Sequence, residues 1–144
     1  MAEVFVTDRL VEFCETDTAG IAHFANFFCY MEQTEHAFLR SLGTSVMLAM
    51  PDGWHISWPR VHAECDFLGT VRFEDQLKIR LSIARMGKKS VTYRFDFFSS
   101  QDKLVAKGCL VAVCCRVKVE SSSIESIQIP DALRAKLEAF VSNH

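Results

Sequence analysis

Residues 17–25, DTAGIAHFA, open the longest helical pattern in the chain. From His23 to Leu42, Phe24, Phe28, Met31, Phe38 and Leu42 recur at helical spacing, with Phe27 and Leu39 at the edges of the stripe. Gly43 follows as the C-terminal stop, after Arg40 in the last turn. At 1.5 Å per residue such a helix is about 30 Å long. Asp17 and one glycine, Gly20, stand just ahead of it. A helix N-terminus offers N–H groups without intrahelical partners and a partial positive charge. A carbonyl oxygen held there is polarised, and a carboxylate beside it can attack that carbonyl or activate a water.

Outward from this stretch the patterns are those of strands. Val4–Phe13 alternates and is rich in β-formers, and Cys14–Ala22 reads as the loop carrying Asp17. Thr44–Gly53 reads as a connector with room for one helical turn. Trp54–Leu68 is a strand interrupted at Pro59, and Gly69–Gln76 a polar turn. Leu77–Met86 and Ser90–Phe98 alternate cleanly around the basic turn Gly87-Lys88-Lys89. Lys103–Val119 is a long final strand. Glu120–Ser126 is a serine-rich loop, and Pro130–Val141 a short closing helix with Pro130 in its first turn. One strand, one long helix and about four antiparallel strands in a meander make an α+β layer arrangement, read as one domain over 1–144. No βαβ repeat, GxGxxG or P-loop is present, so no Rossmann reading is available.

Composition narrows the function classes. The 144 residues are 49% hydrophobic and 24% charged, which is globular rather than disordered. A formal net charge of -2 gives no reason to expect nucleic acid or an anionic membrane as partner. The longest clean apolar run, Leu110–Cys115, is too short to span a bilayer. The first ten residues lack the basic-then-apolar pattern of a signal peptide. Six cysteines include no CxxC and no zinc-site spacing, so no metal is expected, and they read as reduced, buried thiols of a cytoplasmic protein. Twelve Phe against two Tyr and two Trp suggest a large dry interior or a buried subunit face.

Each candidate residue carries two readings. Asp17 is either an Asx-turn residue that shapes the loop or a reacting carboxylate. His23 and Asn26 are caps, packing residues or polar contacts to a ligand. Glu35 falls in the middle of the apolar stripe and must be paired, hydrogen-bonded or protonated; an arginine or histidine from the sheet is its expected partner, with a second active-site acid as the other reading. Glu32 borders the same stripe. Arg85, Lys88 and Lys89, beside Ser90, form either a solvated hairpin or a cradle for a phosphate-bearing ligand. Cys14 with His23 is a remote nucleophile pair, since nothing marks the thiol as activated.

These residues in this order resemble the 4-hydroxybenzoyl-CoA thioesterase family of hotdog-fold proteins, from about Leu10 to about Val119. The most specific part is Val11–Gly43, and RVHAECDFLGTVRFEDQLKIRLSIARMGKKSVTYRFDF is similar to the family's next three strands. The resemblance implies a hotdog fold, one long central helix wrapped by an antiparallel β-sheet, and hydrolysis of an acyl-CoA with no cofactor, CoA being part of the substrate. It implies Asp17 as the catalytic carboxylate and the Phe24 N–H as the group that polarises the thioester carbonyl. It also implies Gly20 as the turn residue that lets the loop approach the substrate, and Lys88, Lys89 and Ser90 as contacts to CoA phosphates. Family members form dimers and usually tetramers with sites at subunit interfaces, so a homodimer or homotetramer is expected. His23 sits one place earlier than the histidine of some members, and Phe24 replaces a tyrosine of others, which leaves the acyl group open. A hotdog dehydratase, using His23 with Glu32 or Glu35, and a CoA-ester binding module without turnover are the alternatives.

Overall fold

The sheet is organised by three strands that alternate strictly. In the computed structural model, which describes residues 2–142, β5 (Gln76–Met86), β6 (Ser90–Phe98) and β7 (Leu104–Val113) form an antiparallel meander. Leu77, Ile79, Leu81 and Ile83 of β5 and Val91, Tyr93, Phe95 and Phe97 of β6 are all buried on one face. β1 (Phe5–Leu10) pairs with β5, and β4 (Arg60–Phe67) pairs with β7, giving the order β1-β5-β6-β7-β4. The expected meander is corrected here: β4 precedes β5 in the chain but lies at the opposite edge of the sheet. β1 is also shorter than expected, and Phe13–Glu15 turns as a 3-10 helix.

α1 (Ala25–Ser41) lies on the buried face of this sheet. Its packed side carries Phe27, Tyr30, Met31, Thr34, Glu35, Phe38 and Leu39. The stripe is therefore rotated from the sequence reading: Phe24 is exposed, and Phe28 and Leu42 are only half-buried. Phenylalanines at 24, 27 and 28 permit two stripes, and the sheet selects the one that meets it. Phe27 packs on Phe97 and Phe38 on Tyr93. Gly108 of β7 has no side chain where Met31 seats, and a Cβ there would lie 2.3 Å from the Met31 sulfur.

Two further strands were hidden in the expected loops. β2 (Met47–Ala49) lies in the Thr44–Gly53 connector, and β9 (Ser123–Ser126) in the serine-rich segment. They flank β3 (His55–Ser57) and β8 (Cys115–Lys118) in a four-stranded set, β2-β3-β8-β9. The long strands expected over Trp54–Leu68 and Lys103–Val119 each bend once, at Pro59 and at Cys114. The bends face each other: Ser57 pairs with Cys115, the Val113 N–H donates to the Pro59 carbonyl at 2.9 Å, and Arg60 pairs with Ala112. The two sets thus meet at one corner.

α2 (Asp131–Glu138), with Pro130 at its N-cap, closes the far end. Phe140 packs edge-on against Phe38, and Lys136 donates to the Leu42 carbonyl at 3.0 Å. No helix among the described residues is long and apolar enough to cross a membrane.

Candidate active site

The loop before α1 is a small hairpin with Asp17 near its tip. The His23 N–H donates to the Glu15 carbonyl at 2.8 Å, Thr16 bridges Ala22, and the Asp17 N–H donates to the Ile21 carbonyl at 3.0 Å. The tip closes with Gly20 N–H on the Asp17 carbonyl at 2.9 Å. Gly20 has φ +78°, a left-handed conformation that a side chain would oppose. The Asp17 Oδ1 accepts the Ala19 N–H at 2.9 Å, so the Asx-turn reading holds for that oxygen. No described residue donates to its Oδ2.

The hairpin is fastened on two sides. The Ala22 N–H donates to the Val71 carbonyl at 2.8 Å, and Arg72 reaches the Gly20 carbonyl at 3.3 Å. Beneath it, the Glu15 carboxylate takes an ion pair from Arg9, the Tyr30 hydroxyl at 3.0 Å and the Glu12 N–H at 2.8 Å. Burial raises the Glu15 pKa, but the hydrogen bonds from Glu12, Arg9 and Tyr30 and the Arg9 charge outweigh it and hold the carboxyl below its usual value. Burial and then Glu15 push the Tyr30 phenol upward, so it stays a neutral donor.

The donors at the helix start can be counted. His23 N–H goes to Glu15, Ala25 N–H to His23 Nδ1 at 3.2 Å, Asn26 N–H to the His23 carbonyl at 3.0 Å, and Phe27 N–H to the Phe24 carbonyl at 3.2 Å. Among the described residues, only the Phe24 N–H of this run has no acceptor. Because His23 Nδ1 accepts, it carries no proton in this arrangement, and its ring lies over that of Phe24, 4.6 Å between centroids.

Asp17 and Phe24 line one open cavity of about 440 Å³. Its walls are Ile21, Ala22, Phe27, Phe67, Leu68 and Val71, with Thr70 the other polar side chain. Phe67, at the end of β4, meets Phe24 and Phe27 edge-on, at 6.4 and 5.3 Å between centroids. The Phe67–Val71 wall had no signature in the sequence, because an apolar strand end followed by a turn is common.

Other candidates lie elsewhere. Asn26 is beside the hairpin, and its amide donates to the Glu15 carbonyl at 2.7 Å. Arg85, Lys88, Lys89 and Ser90 sit at the opposite end of β5 from the cavity wall, about 30 Å away at strand rise. There Arg85 and Lys88, with Arg134, line a second open cavity of about 470 Å³. Arg134 donates to the Gly87 and Lys88 carbonyls at 2.7 and 3.1 Å, and Lys89 reaches Ser126 at 3.4 Å. Glu35 is fully buried and pairs with Arg60, with His36 Nε2 at 3.8 Å. It lies about 18 Å along the helix from His23, so the two do not meet. The six cysteines are unpaired, but Cys14 and Cys29 are exposed rather than buried. Burial pushes the Cys65 and Cys114 thiols up to about 11. Among the described residues, no three His, Cys, Asp or Glu side chains gather as a metal site.

A family model described as the thioesterase superfamily matches residues 19–106, which run from the tip of the hairpin through α1, β4, β5 and β6 to the start of β7, with Asp17 just ahead of the match. The chain belongs to the thioesterase superfamily. Its enzyme class is thioester hydrolase, and the antiparallel sheet with α1 on one face is the hotdog arrangement. A 1,4-dihydroxy-2-naphthoyl-CoA hydrolase of Synechococcus sp. (strain CC9311) is 31% identical over 139 residues, covering 91% of this chain and 87% of that protein. The structure of a gentisyl-coenzyme A thioesterase superposes with a TM-score of 0.75 at 29% identity, over 90% of this chain and 99% of that one. The Dynemicin thioesterase superposes at 0.83 over 99% and 100%, and at 21% identity it shows the fold alone.

Proposed function

We propose that this protein hydrolyses an acyl-CoA thioester, with an aromatic acyl group, in the cavity between the Asp17 hairpin and Phe67. The observation that carries the reading is that Phe24, whose N–H is the one donor at the helix start without an acceptor among the described residues, lines a cavity together with Asp17. A thioester carbonyl placed against that N–H is polarised by it and by the helix dipole. One such donor is worth roughly 3–4 kcal/mol to the oxyanionic transition state. Asp17 then attacks the carbonyl carbon, the C–S bond breaks with CoA leaving as thiolate, and water hydrolyses the mixed anhydride. In the other form, Asp17 takes a proton from a water that attacks directly. Either route uses only water and the side chain, with no cofactor.

The names of the naphthoyl and gentisyl relatives and the three phenylalanines on the cavity support an aromatic acyl group over a saturated chain. The distance from the cavity to Arg85, Lys88, Lys89 and Ser90 favours a homodimer or homotetramer in which one copy's basic turn serves CoA phosphates bound at another's cavity.

Thiol release read with DTNB, over aromatic, short-chain and long-chain acyl-CoAs, tests this directly. Wild type is expected to release CoA, fastest from aromatic esters, and Asp17→Asn to lose about 10²- to 10⁴-fold in kcat with its melting temperature retained. Near-normal turnover in Asp17→Asn would refute the assignment. Binding of acyl-CoA with no release by wild type would leave a CoA-ester binding module. Water loss from a 3-hydroxyacyl-CoA would point to a dehydratase.

A further inference from the structure

We propose that Asn26 is a positioning residue for this reaction, acting through the Glu15 carbonyl; the inference rests on the roles given above to Asp17 and the Phe24 N–H. That carbonyl accepts two donors, the His23 N–H at 2.8 Å and the Asn26 side-chain amide at 2.7 Å. Both of its lone pairs are thereby used. The chain that leaves Glu15 reaches Asp17 two residues later, while the two donors belong to residues on either side of Phe24. One oxygen atom therefore ties the strand that carries the acid to the segment that carries the polarising N–H.

The two ties do different things. The His23 bond is a rung of the hairpin, and by itself it allows the hairpin to swing against the helix. The Asn26 amide comes from the first turn of α1, so it fixes the angle between the hairpin and the helix axis. Glu15 is a suitable anchor because its carboxylate is already held by Arg9 of β1, Tyr30 of α1 and the Glu12 N–H. Asn26 is absent from the cavity lining. One neutral hydrogen bond is a small share of a fold's stability, whereas a displacement of about 1 Å between reacting groups can cost about 10²-fold in rate. Loss of the Asn26 amide should thus fall on turnover more than on folding or substrate binding.

The test compares wild type with Asn26→Asp, which keeps the size and removes the donor at neutral pH, and Asn26→Gln, which keeps a donor on a longer arm. The measurements are kcat and KM on the best thioester, the Kd of a non-hydrolysable thioether analogue of it, and melting temperature. Asn26→Asp is expected to lose about 10- to 100-fold in kcat, with KM and the thioether Kd within about threefold and the fold intact. Asn26→Gln is expected to recover part of the rate. Unchanged kcat in Asn26→Asp alongside a dead Asp17→Asn overturns the positioning role and leaves the proposed function standing. A loss carried by KM and the thioether Kd overturns it in favour of a substrate contact, and failure of Asn26→Asp to fold overturns it in favour of a structural tie. Absence of thioester hydrolysis by wild type overturns both readings.

Discussion

Glu35 has no exposed surface and sits at the centre of the helix face that meets the sheet, yet its carboxylate is paired. Arg60 reaches it from the first position of β4 and also donates to the Trp58 carbonyl at 2.6 Å. Desolvation by burial lowers the Arg60 pKa, and the nearby Glu32 and Tyr93 act against that. Deleting one partner strands the other charge in a dry interface, whereas replacing both with apolar side chains of similar volume removes the desolvation cost as well. Arg60→Ala is therefore expected to destabilise by about 3–5 kcal/mol in urea denaturation, and the pair Glu35→Leu with Arg60→Met by about 1 kcal/mol or less. The anomaly was legible in the sequence, because a carboxylate inside an apolar stripe has to be neutralised. That an arginine or histidine of the sheet would pair with it was legible too, but not which one, because 25 residues separate Glu35 on α1 from Arg60 on β4. The place of Asp17 was legible for a similar reason: local spacing alone puts a carboxylate just ahead of the helix start. The Glu15 junction was invisible, since its five partners arrive from β1, its own turn and α1.

At the scale of elements, β4 does two jobs at its two ends: Arg60 holds the corner, and Phe67 forms the rim of the cavity. Phe27 is buried and Phe67 is about half exposed, so the latter can be shortened without opening the core. Phe67→Ala is expected to raise the ratio of kcat/KM for bulky over small acyl-CoAs by about 10-fold, as a side chain's volume is released on the acyl side; competition assays between benzoyl- and naphthoyl-CoA would measure it. β5 and β6 were readable because one face of each is wholly apolar. β2 and β9 were not: each is only three or four residues, with exposed positions, so no alternation builds up. The register of α1 was misread by a fraction of a turn because three phenylalanines compete, and only Gly108 and Phe97 on the sheet decide among them.

For the whole molecule, stability in acid follows from the junction under the site. A carboxyl whose folded pKa is depressed stabilises the fold above its unfolded value, near 4.5, and loses that contribution as pH falls through the folded value. The stability difference between wild type and Glu15→Gln is therefore expected to be constant at neutral pH and to shrink below about pH 4.5, as read by thermal melts across pH. The outer face of the sheet is built differently from the inner one. Arg80, Asp96, Lys107 and Asp66 stand side by side on four neighbouring strands with alternating sign, a row suited to water. The corner between the two strand sets also makes the molecule self-reporting. Trp58 is 1% exposed at that corner with its carbonyl on Arg60, while Trp54 is half-buried with the Arg116 guanidinium 4.1 Å over its ring. These are the two tryptophans of the chain. Its ultraviolet emission thus comes from one indole in a dry setting and one under a cation, so light alone can follow the opening of the corner without any attached dye.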